Sequence, residues 1–214
     1  RVNLLDVRKP LGISVPRLIK YLRLKEWQAF QVNNEEWFIC LAVYNTKSIG
    51  TAIIMAYNKA EKRLYRYERK APLWQLKVAN GLQDSHSYYH GKSKGFFEIE
   101  LSVNDYRGLP DCQASFRGSF EGEPIVIVQP FAENRPLYSL KSLMPAQGHF
   151  KVDGRSSDFG VANACMIVDD HKGYYPYVMQ YDWVTGLGHG ADGPRIGFNL
   201  TDNQIREPLK YNEN

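Results

Sequence analysis

Hydrophobic and polar residues alternate along much of the chain, most regularly between residues 97 and 103. Phe97, Ile99, Leu101 and Val103 fill one set of alternate positions, and polar residues fill the other. Successive side chains of a β-strand point to opposite faces of the sheet, so this alternation predicts a strand with one buried face. Similar short runs, separated by polar turns, predict an all-β fold, either an antiparallel barrel or a sandwich.

One segment near the N-terminus, residues 15–23, has the period of a helix instead. Its apolar residues recur three and four positions apart, which places them on one helical face. They are Val15, Leu18, Ile19 and Leu22. Ser14, with Pro16 after it, predicts the start of this helix. We expect one short amphipathic helix whose apolar face covers the sheet, while its basic residues are solvated.

The composition is that of an ordinary globular chain. Of its 214 residues, 43% are hydrophobic and 23% charged, which is enough apolar content for a real core. We interpret residues 1–214 as one β-rich domain, with two barrel halves and a seam near residues 108–136 as the alternative. Because a β protein should not end one turn beyond Asn203, we expect further C-terminal strands in the natural protein.

The charge and the cysteine content indicate which partners and which compartment the sequence favours. The net charge of +4 comes from Lys and Arg spread along the chain, so we expect no nucleic-acid surface. No apolar run is long enough for a transmembrane segment. Cys40, Cys112 and Cys165 are odd in number and form no CxxC motif, which favours a reduced, cytoplasmic protein. Nothing in the sequence indicates an oligomeric state.

Aromatic and titratable residues are densest between residues 166 and 203, where we place the candidate site. A strand over residues 177–184 would place three rings on one face and Asp182 on the other, among valines. The rings are Tyr177, Tyr181 and Trp183. With the valine face inside a barrel, burial would raise the pKa of Asp182 and make it a proton donor. With the aromatic face inside, the rings would line an apolar ligand and Asp182 would be solvated.

Two histidines in this stretch are candidates for acid–base chemistry or ligand contact. His171 follows Asp169 and Asp170, and an Asp–His contact could orient its imidazole. The same sequence, Asp-Asp-His-Lys-Gly, is also typical of a turn. His189 lies in a glycine-rich segment, residues 186–193, which we interpret as a mobile flap over a barrel mouth.

Further side chains complete the predicted site. Asn199 and Asn203 share a strand face with Thr201 and are suited to hydrogen bonding with a ligand. We assign catalysis to Asp182 as general acid, assisted by His171 or Tyr181. The predicted ligand-binding residues are Tyr175, Tyr177, Trp183, His189, Asn199 and Asn203.

The sequence favours neither a metal nor a cofactor. His86 and His90 would lie about 13 Å apart on a strand, at ~3.3 Å per residue, which is too far for one ion. The glycine-rich segment at 186–193 is not followed by a helix N-terminus, as a phosphate-binding loop requires. We therefore predict no metal and no cofactor.

Several motifs resemble a known family. They are DHKGYYPY at 170–177, YDWVTG at 181–186, GFNLTDN at 197–203, YNEN at 211–214 and the weaker KEWQAF at 25–30. They are similar to the mostly bacterial family called domain of unknown function 2804, whose pattern continues past residue 214. The resemblance covers nearly the whole chain. It implies a lipocalin-like barrel, distantly similar to the tandem-barrel group that contains hydroxyneurosporene synthase, a carotenoid hydratase, and it transfers no catalytic residue.

Three functional interpretations follow. The first is a lipocalin-like barrel that binds an apolar or amphipathic small molecule in an aromatic-lined cavity. The second is a cofactor-free hydratase or isomerase on the same scaffold, with Asp182 as general acid; a raised pKa at Asp182 would favour it. The third is a carbohydrate-binding β-sandwich in which Trp183 and Tyr177 stack on sugar faces, which a shallow groove with exposed rings would favour.

Overall fold

The computed structural model confirms an all-β chain built around one nearly closed, barrel-shaped sheet. It describes residues 3–79, 86–89, 97–119, 121, 123–130, 133–178, 181–190 and 193–203. One short α-helix, α1, spans Arg17–Arg23, and two 3-10 turns span Leu4–Asp6 and Leu73–Gln75. The strands are β1 (Lys25–Asn33), β2 (Trp37–Asn45), β3 (Gly50–Asn58), β4 (Arg63–Ala71), β5 (Leu76–Lys77), β6 (His86–Tyr89), β7 (Glu98–Val103), β8 (Cys112–Gly118), β9 (Ile125–Pro130), β10 (Pro136–Val152), β11 (Arg155–Phe159), β12 (Cys165–Gly173), β13 (Tyr181–His189) and β14 (Arg195–Asn203).

Strand pairing places β12 near the middle of the sheet. The order is β4-β3-β2-β1-β12-β10-β8-β7-β6-β5, with β9 and β11 also paired to β10. Among the described pairs, β6 and β7 run parallel and the others run antiparallel. β13 and β14 pair only with each other in the described residues and form a separate hairpin.

The long strand β10 connects the two sides of the sheet. Residues 137–145 pair with β12, and residues 146–152 pair with β8. Gly148 permits the close approach of β8, since a Cβ there would lie 2.1 Å from the carbonyl oxygen of Ser115. The sheet is continuous through this strand, and the division into two barrel halves stays a prediction.

Apolar side chains pack the inner face of the sheet. The largest fully buried members of this core are Phe30, Trp37, Tyr65, Tyr67, Phe97, Phe116 and Phe150. The alternation in β7 is confirmed, because Ile99, Leu101 and Val103 all belong to the core. Burial of apolar surface on this scale is the main favourable term in folding. The three cysteines are buried and free.

The helix forms where the sequence predicts it but faces the opposite way. Its N-cap is Pro16, not Ser14, and none of its seven residues, all of them described, is buried. Lys20 faces the protein, where its ammonium donates to the carbonyl oxygens of Leu5 and Val7. Because that contact holds the polar side inward, the prediction that the apolar face covers the sheet is wrong. No helix of the described residues is long and apolar enough to cross a bilayer.

The C-terminal hairpin differs from its prediction in both strands and turn. β13 begins at Tyr181, so Tyr177 precedes the strand. Half of the predicted flap at 186–193, residues 186–189, belongs to β13 as well. Gly186 is tolerated there because it pairs with Phe198, whose ring would lie 2.6 Å from a Cβ at this position and covers the glycine instead.

Candidate functional site

A cluster of polar side chains lies on the outer face of the sheet, beneath the β13–β14 hairpin. β12 contributes Asp169 and His171, which share one face because they are two residues apart. β10 places Lys141 directly opposite Asp169 and Ser139 directly opposite His171. All four residues are buried, and Asp169 is only 1% exposed. We call Ser139, Lys141, Asp169 and His171 the outer cluster.

Short contacts join the members of the outer cluster. The Nε2 atom of His171 lies 2.7 Å from Oδ1 of Asp169, and the Lys141 ammonium lies 3.4 Å from the same oxygen. Lys141 also donates to the Ser139 hydroxyl at 3.0 Å. That hydroxyl lies 3.1 Å from Nε2 of His171. A buried carboxylate is thus held by an ammonium and an imidazole, and such partners are what a buried charge requires.

Aromatic residues hold the other side of His171. The Tyr175 hydroxyl lies 3.4 Å from Nδ1 of His171 and accepts a hydrogen bond from the Trp27 indole at 3.0 Å. The Trp27 ring also packs on the imidazole, with centroids 4.6 Å apart. Both nitrogens of His171 therefore have partners, and its ring orientation is fixed.

The hairpin turns a polar face toward this cluster. Asn199 donates to Oδ2 of Asp169 at 3.3 Å and accepts from the Trp183 indole at 2.9 Å. Thr185 donates to the side-chain oxygen of Gln31 on β1 at 3.0 Å. The opposite face of the hairpin is apolar and about half exposed. It consists of Val184, Ile196, Phe198 and Leu200.

The surroundings of Asp169 keep it ionised. Burial alone would raise the pKa of this carboxyl. The charge and hydrogen bond of His171, followed by Lys141 and Asn199, outweigh burial and lower the pKa of Asp169 below its ordinary value. The outer cluster can therefore hold a stable carboxylate beside an imidazole and an ammonium, which is a suitable arrangement for binding or moving a proton.

The neighbouring residue, Asp170, lies on the inner face of the same strand. It pairs in register with Gln28 of β1 and is 5% exposed. Burial raises the pKa of Asp170 to about 6, although the charges of Lys172 and His171 and a hydrogen bond from Gln28 oppose this shift. Its Oδ1 atom has no hydrogen-bond partner among the described residues.

A pocket of about 230 Å³ opens beside the outer cluster, between the sheet and the hairpin. Its apolar lining includes Ile127, Leu143 and Ile167, and its polar lining includes Lys141 and Asn199. The exposed residue Glu123 also lines it. The pocket therefore combines an apolar wall with a buried ammonium and a carboxamide.

The structure brings together four of the residues that the sequence indicates. They are His171, Tyr175, Trp183 and Asn199. Asp169 and His171 do make the suggested contact, but on a strand and not in a turn. No group of three or more His, Cys, Asp or Glu among the described residues could hold a metal ion.

Other predicted site residues lie elsewhere. Asp182 is exposed on the outer face of the hairpin. The predicted role as a proton donor requires a buried carboxyl, and this carboxyl is not buried. Tyr177 is 84% exposed and His189 is exposed at the hairpin turn. The side chains of Tyr181, Asn203 and His86, and all of His90, lie outside the described residues.

Sequence reasoning missed three contributors: Trp27, Ser139 and Lys141. Each lies in a segment predicted as a strand, but far from residues 166–203. Only the register of β1 and β10 against β12 brings them to His171 and Asp169. Lys141 carries one weak signal, since a lysine between Leu140 and Ser142 in a largely apolar strand requires a polar partner.

Comparisons with known proteins give one family and one solved structure. No curated protein matches the chain. The crystal structure of kievitone hydratase from Nectria haematococca is 8% identical, with a TM-score of 0.46. The match covers 83% of this chain and 60% of that one, so the chain spans about three fifths of that protein. A family model matches residues 8–214. The chain belongs to the family described as Domain of unknown function (DUF2804).

Proposed function

We propose that this protein binds a small amphipathic molecule in the pocket between the outer face of the sheet and the β13–β14 hairpin. One observation carries the proposal: the Lys141 side chain, 8% exposed, lies at an otherwise largely apolar pocket. Binding pockets typically combine apolar walls with a few placed polar groups. The polar end of the ligand lies at Lys141 and Asn199, and its apolar part lies against Leu143 and Ile167.

Size and charge limit the ligand. A volume of about 230 Å³ equals that of roughly seven or eight waters at ~30 Å³ each, so the enclosed part has a similar number of non-hydrogen atoms. An ammonium and a carboxamide N–H both donate hydrogen bonds. The complementary ligand group is a carboxylate or a carbonyl oxygen.

This location differs from the cavity that the sequence suggests. An aromatic-lined cavity inside the barrel would need space on the inner face, where the described residues pack a dense apolar core. Of the aromatic residues predicted to line that cavity, Trp183 lies on the face of the hairpin that is turned toward the sheet. Its ring is edge-on to the ring of Trp27, with centroids 6.0 Å apart. The Tyr177 ring carries the Arg23 guanidinium over its face.

Calorimetric titration of the full chain with octanoate, octan-1-ol and octylamine tests the proposal. A hydrogen bond to a charged group contributes about 1.5–3 kcal/mol, so octanoate should bind at least tenfold more tightly than octan-1-ol. Lys141→Met should abolish that preference. Lys151→Met, which removes an exposed lysine from the same strand, should leave it unchanged.

A second variant tests the contribution of the pocket volume independently of the Lys141 charge. A Cβ at Gly197 would lie 3.0 Å from the Ile167 side chain, so Gly197→Val fills the pocket without touching Lys141. It should weaken octanoate and octan-1-ol by the same factor. Equal affinities of the wild type for the two probes, or a preference that survives in Lys141→Met, would contradict the proposal.

A second candidate function, a cofactor-free hydratase or isomerase, is favoured by the chain of contacts from Tyr175 through His171 to Asp169. In this proposal Lys141 donates to the carbonyl oxygen of the substrate, and His171 holds the exchangeable proton behind it. Hydration adds the hydrogen and hydroxyl of one water across a carbon–carbon double bond next to that carbonyl. Asp182 has no part in this version, since it is exposed on the far face of the hairpin.

Proton NMR of oct-2-enoate incubated with the protein tests this candidate. Hydration removes the vinyl signals, whereas isomerisation moves them along the chain. His171→Gln should stop turnover and retain octanoate binding, and Asp182→Asn should change neither. Unchanged vinyl signals with the wild-type protein would contradict this candidate function and leave the binding proposal standing.

A further inference from the structure

The orientation of α1 is the reverse of that expected for a surface helix. Helices on globular proteins normally turn their apolar face to the core and their charged face to water. Here Lys20 contacts the carbonyl oxygens of Leu5 and Val7, and it is one of the less exposed residues of the helix. Leu18 is 66% exposed. The remaining exposed apolar side chains of the helix are Ile19, Tyr21 and Leu22.

Further apolar side chains extend this exposed surface. Ile13 precedes the helix and is also exposed. The Arg23 guanidinium lies 4.3 Å from the Tyr177 ring centroid, which brings the exposed residues Tyr177 and Val178 beside the helix. We call Ile13, Leu18, Ile19, Tyr21, Leu22, Tyr177 and Val178 the α1 surface. A group of exposed apolar side chains of this size is typical of an interaction site.

The charge around the α1 surface is strongly positive. Residues 7–25 include six basic residues and no acidic one. Subtracting these six charges from the net +4 leaves −2 for the rest of the chain. The nearest acids are already paired, Asp6 with Arg17 at 2.9 Å and Glu26 with Lys47 and Lys172. The segment that carries the α1 surface therefore has a net positive charge.

We propose that the α1 surface docks on an anionic lipid bilayer. Exposed leucine and tyrosine side chains together with a basic segment are the features by which interfacial helices bind membranes. Charge complementarity selects a negatively charged headgroup layer, because each lysine or arginine near such a surface adds to binding. An apolar protein surface would not require the net positive charge of this segment. The inference is independent of the pocket and of its ligand.

Co-sedimentation of the full chain with vesicles tests the proposal. One set of vesicles contains equal parts phosphatidylcholine and phosphatidylserine, and the other contains phosphatidylcholine alone. The chain should sediment with the first set and remain in solution with the second, and added salt should release it.

Two pairs of variants separate the charge from the apolar contact. Arg17→Gln with Arg23→Gln should weaken binding roughly fivefold for each charge removed, and therefore about 25-fold together. The matched control, Lys62→Gln with Arg66→Gln on the turn before β4 and on β4, should have little effect. Leu18→Ser should weaken binding by about tenfold, and Leu64→Ser, at an equally exposed leucine of β4, should not.

Several outcomes would overturn the proposal. They are the absence of binding to the anionic vesicles, equal binding to both vesicle sets, and equal losses in the control variants. A concentration-dependent dimer that Leu18→Ser disrupts, seen by light scattering without vesicles, would assign the surface to a second copy of the chain instead.

Discussion

Asp169 and Asp170 are adjacent in β12, equally buried, and opposite in their electrostatics. Asp169 faces the outer cluster, where His171, Lys141 and Asn199 lower its pKa. Asp170 faces the inner side of the sheet, where burial raises its pKa to about 6. Since both lie on one strand in one sheet, burial by itself does not explain the difference. The partners on each face decide whether the buried carboxyl is charged.

The two faces of β12 carry two different kinds of polar site. In the outer cluster, Oδ1 of Asp169 lies 2.7 Å from Nε2 of His171 and 3.4 Å from the Lys141 ammonium, and a pocket opens beside it, which is the arrangement expected of a functional site. The Oδ1 atoms of both carboxyls lack a hydrogen-bond partner in the described residues. The groups around Asp169 therefore distinguish it from Asp170, whose ionised form is disfavoured by burial. Variants of each carboxyl should therefore change the free energy of unfolding in opposite directions.

The largest effect is expected from Asp169→Asn. It leaves Lys141 and His171 without their counter-ion, and breaking a buried pair costs about 3–5 kcal/mol of unfolding free energy. Urea denaturation at neutral pH measures this loss. Because the folded pKa of Asp169 is lowered, its contribution is present above the ordinary carboxyl pKa and is lost as pH falls through the lowered value.

Asp158→Asn is the matched control, since it breaks an exposed Asp–His pair with an Oδ1–Nδ1 distance of 2.9 Å. Exposed pairs contribute at most about 1 kcal/mol. If the two variants lose similar amounts, the outer cluster is not electrostatically different from the surface.

Asp170→Asn should have the opposite sign. A folded pKa raised from 3.8 to about 6 means that the native state binds this proton more tightly than the unfolded state. This tighter proton binding stabilises the wild-type fold fully below the unfolded pKa of Asp170. The stabilisation is lost as pH rises through the folded pKa of about 6. At pH 7 the variant should be more stable than wild type by up to about 3 kcal/mol, at 1.36 kcal/mol per pH unit.

Urea denaturation at several pH values between 4 and 7 checks this prediction. The wild type should lose stability across that range relative to Asp170→Asn, and the difference should level off above the raised pKa. A constant difference at all pH values would show that Asp170 does not titrate there.

The smallest effect is expected from Trp183→Phe, because Trp183 does not touch Asp169 itself and donates to Asn199, which does. It removes the indole donor to Asn199 and should cost about 1 kcal/mol, the usual net contribution of one hydrogen bond. Trp37→Phe removes a comparable indole donor, here to Ser157 at 3.1 Å, and serves as the control. Only Trp183→Phe should also alter octanoate affinity, because Asn199 lines the pocket.

The period of two along the chain was sufficient for the strand class. It did not predict β12 through Asp169 and His171, because Asp-Asp-His-Lys-Gly is also typical of a turn, and the structure places both residues on one face of a strand. The density of rings and titratable groups indicated His171, Tyr175, Trp183 and Asn199. These conclusions depend only on local geometry, which neighbouring residues determine.

Tertiary structure alone decided which face is inside and what each side chain meets. Alternation is symmetrical, so it could not show that Asp182 faces solvent and Trp183 the sheet. Nor could it place Lys141 opposite Asp169, because strand register depends on pairing between segments 28 residues apart. The helix is a second example. Its period predicted α1, but the contact of Lys20 with the carbonyl oxygens of Leu5 and Val7 turned its leucines outward.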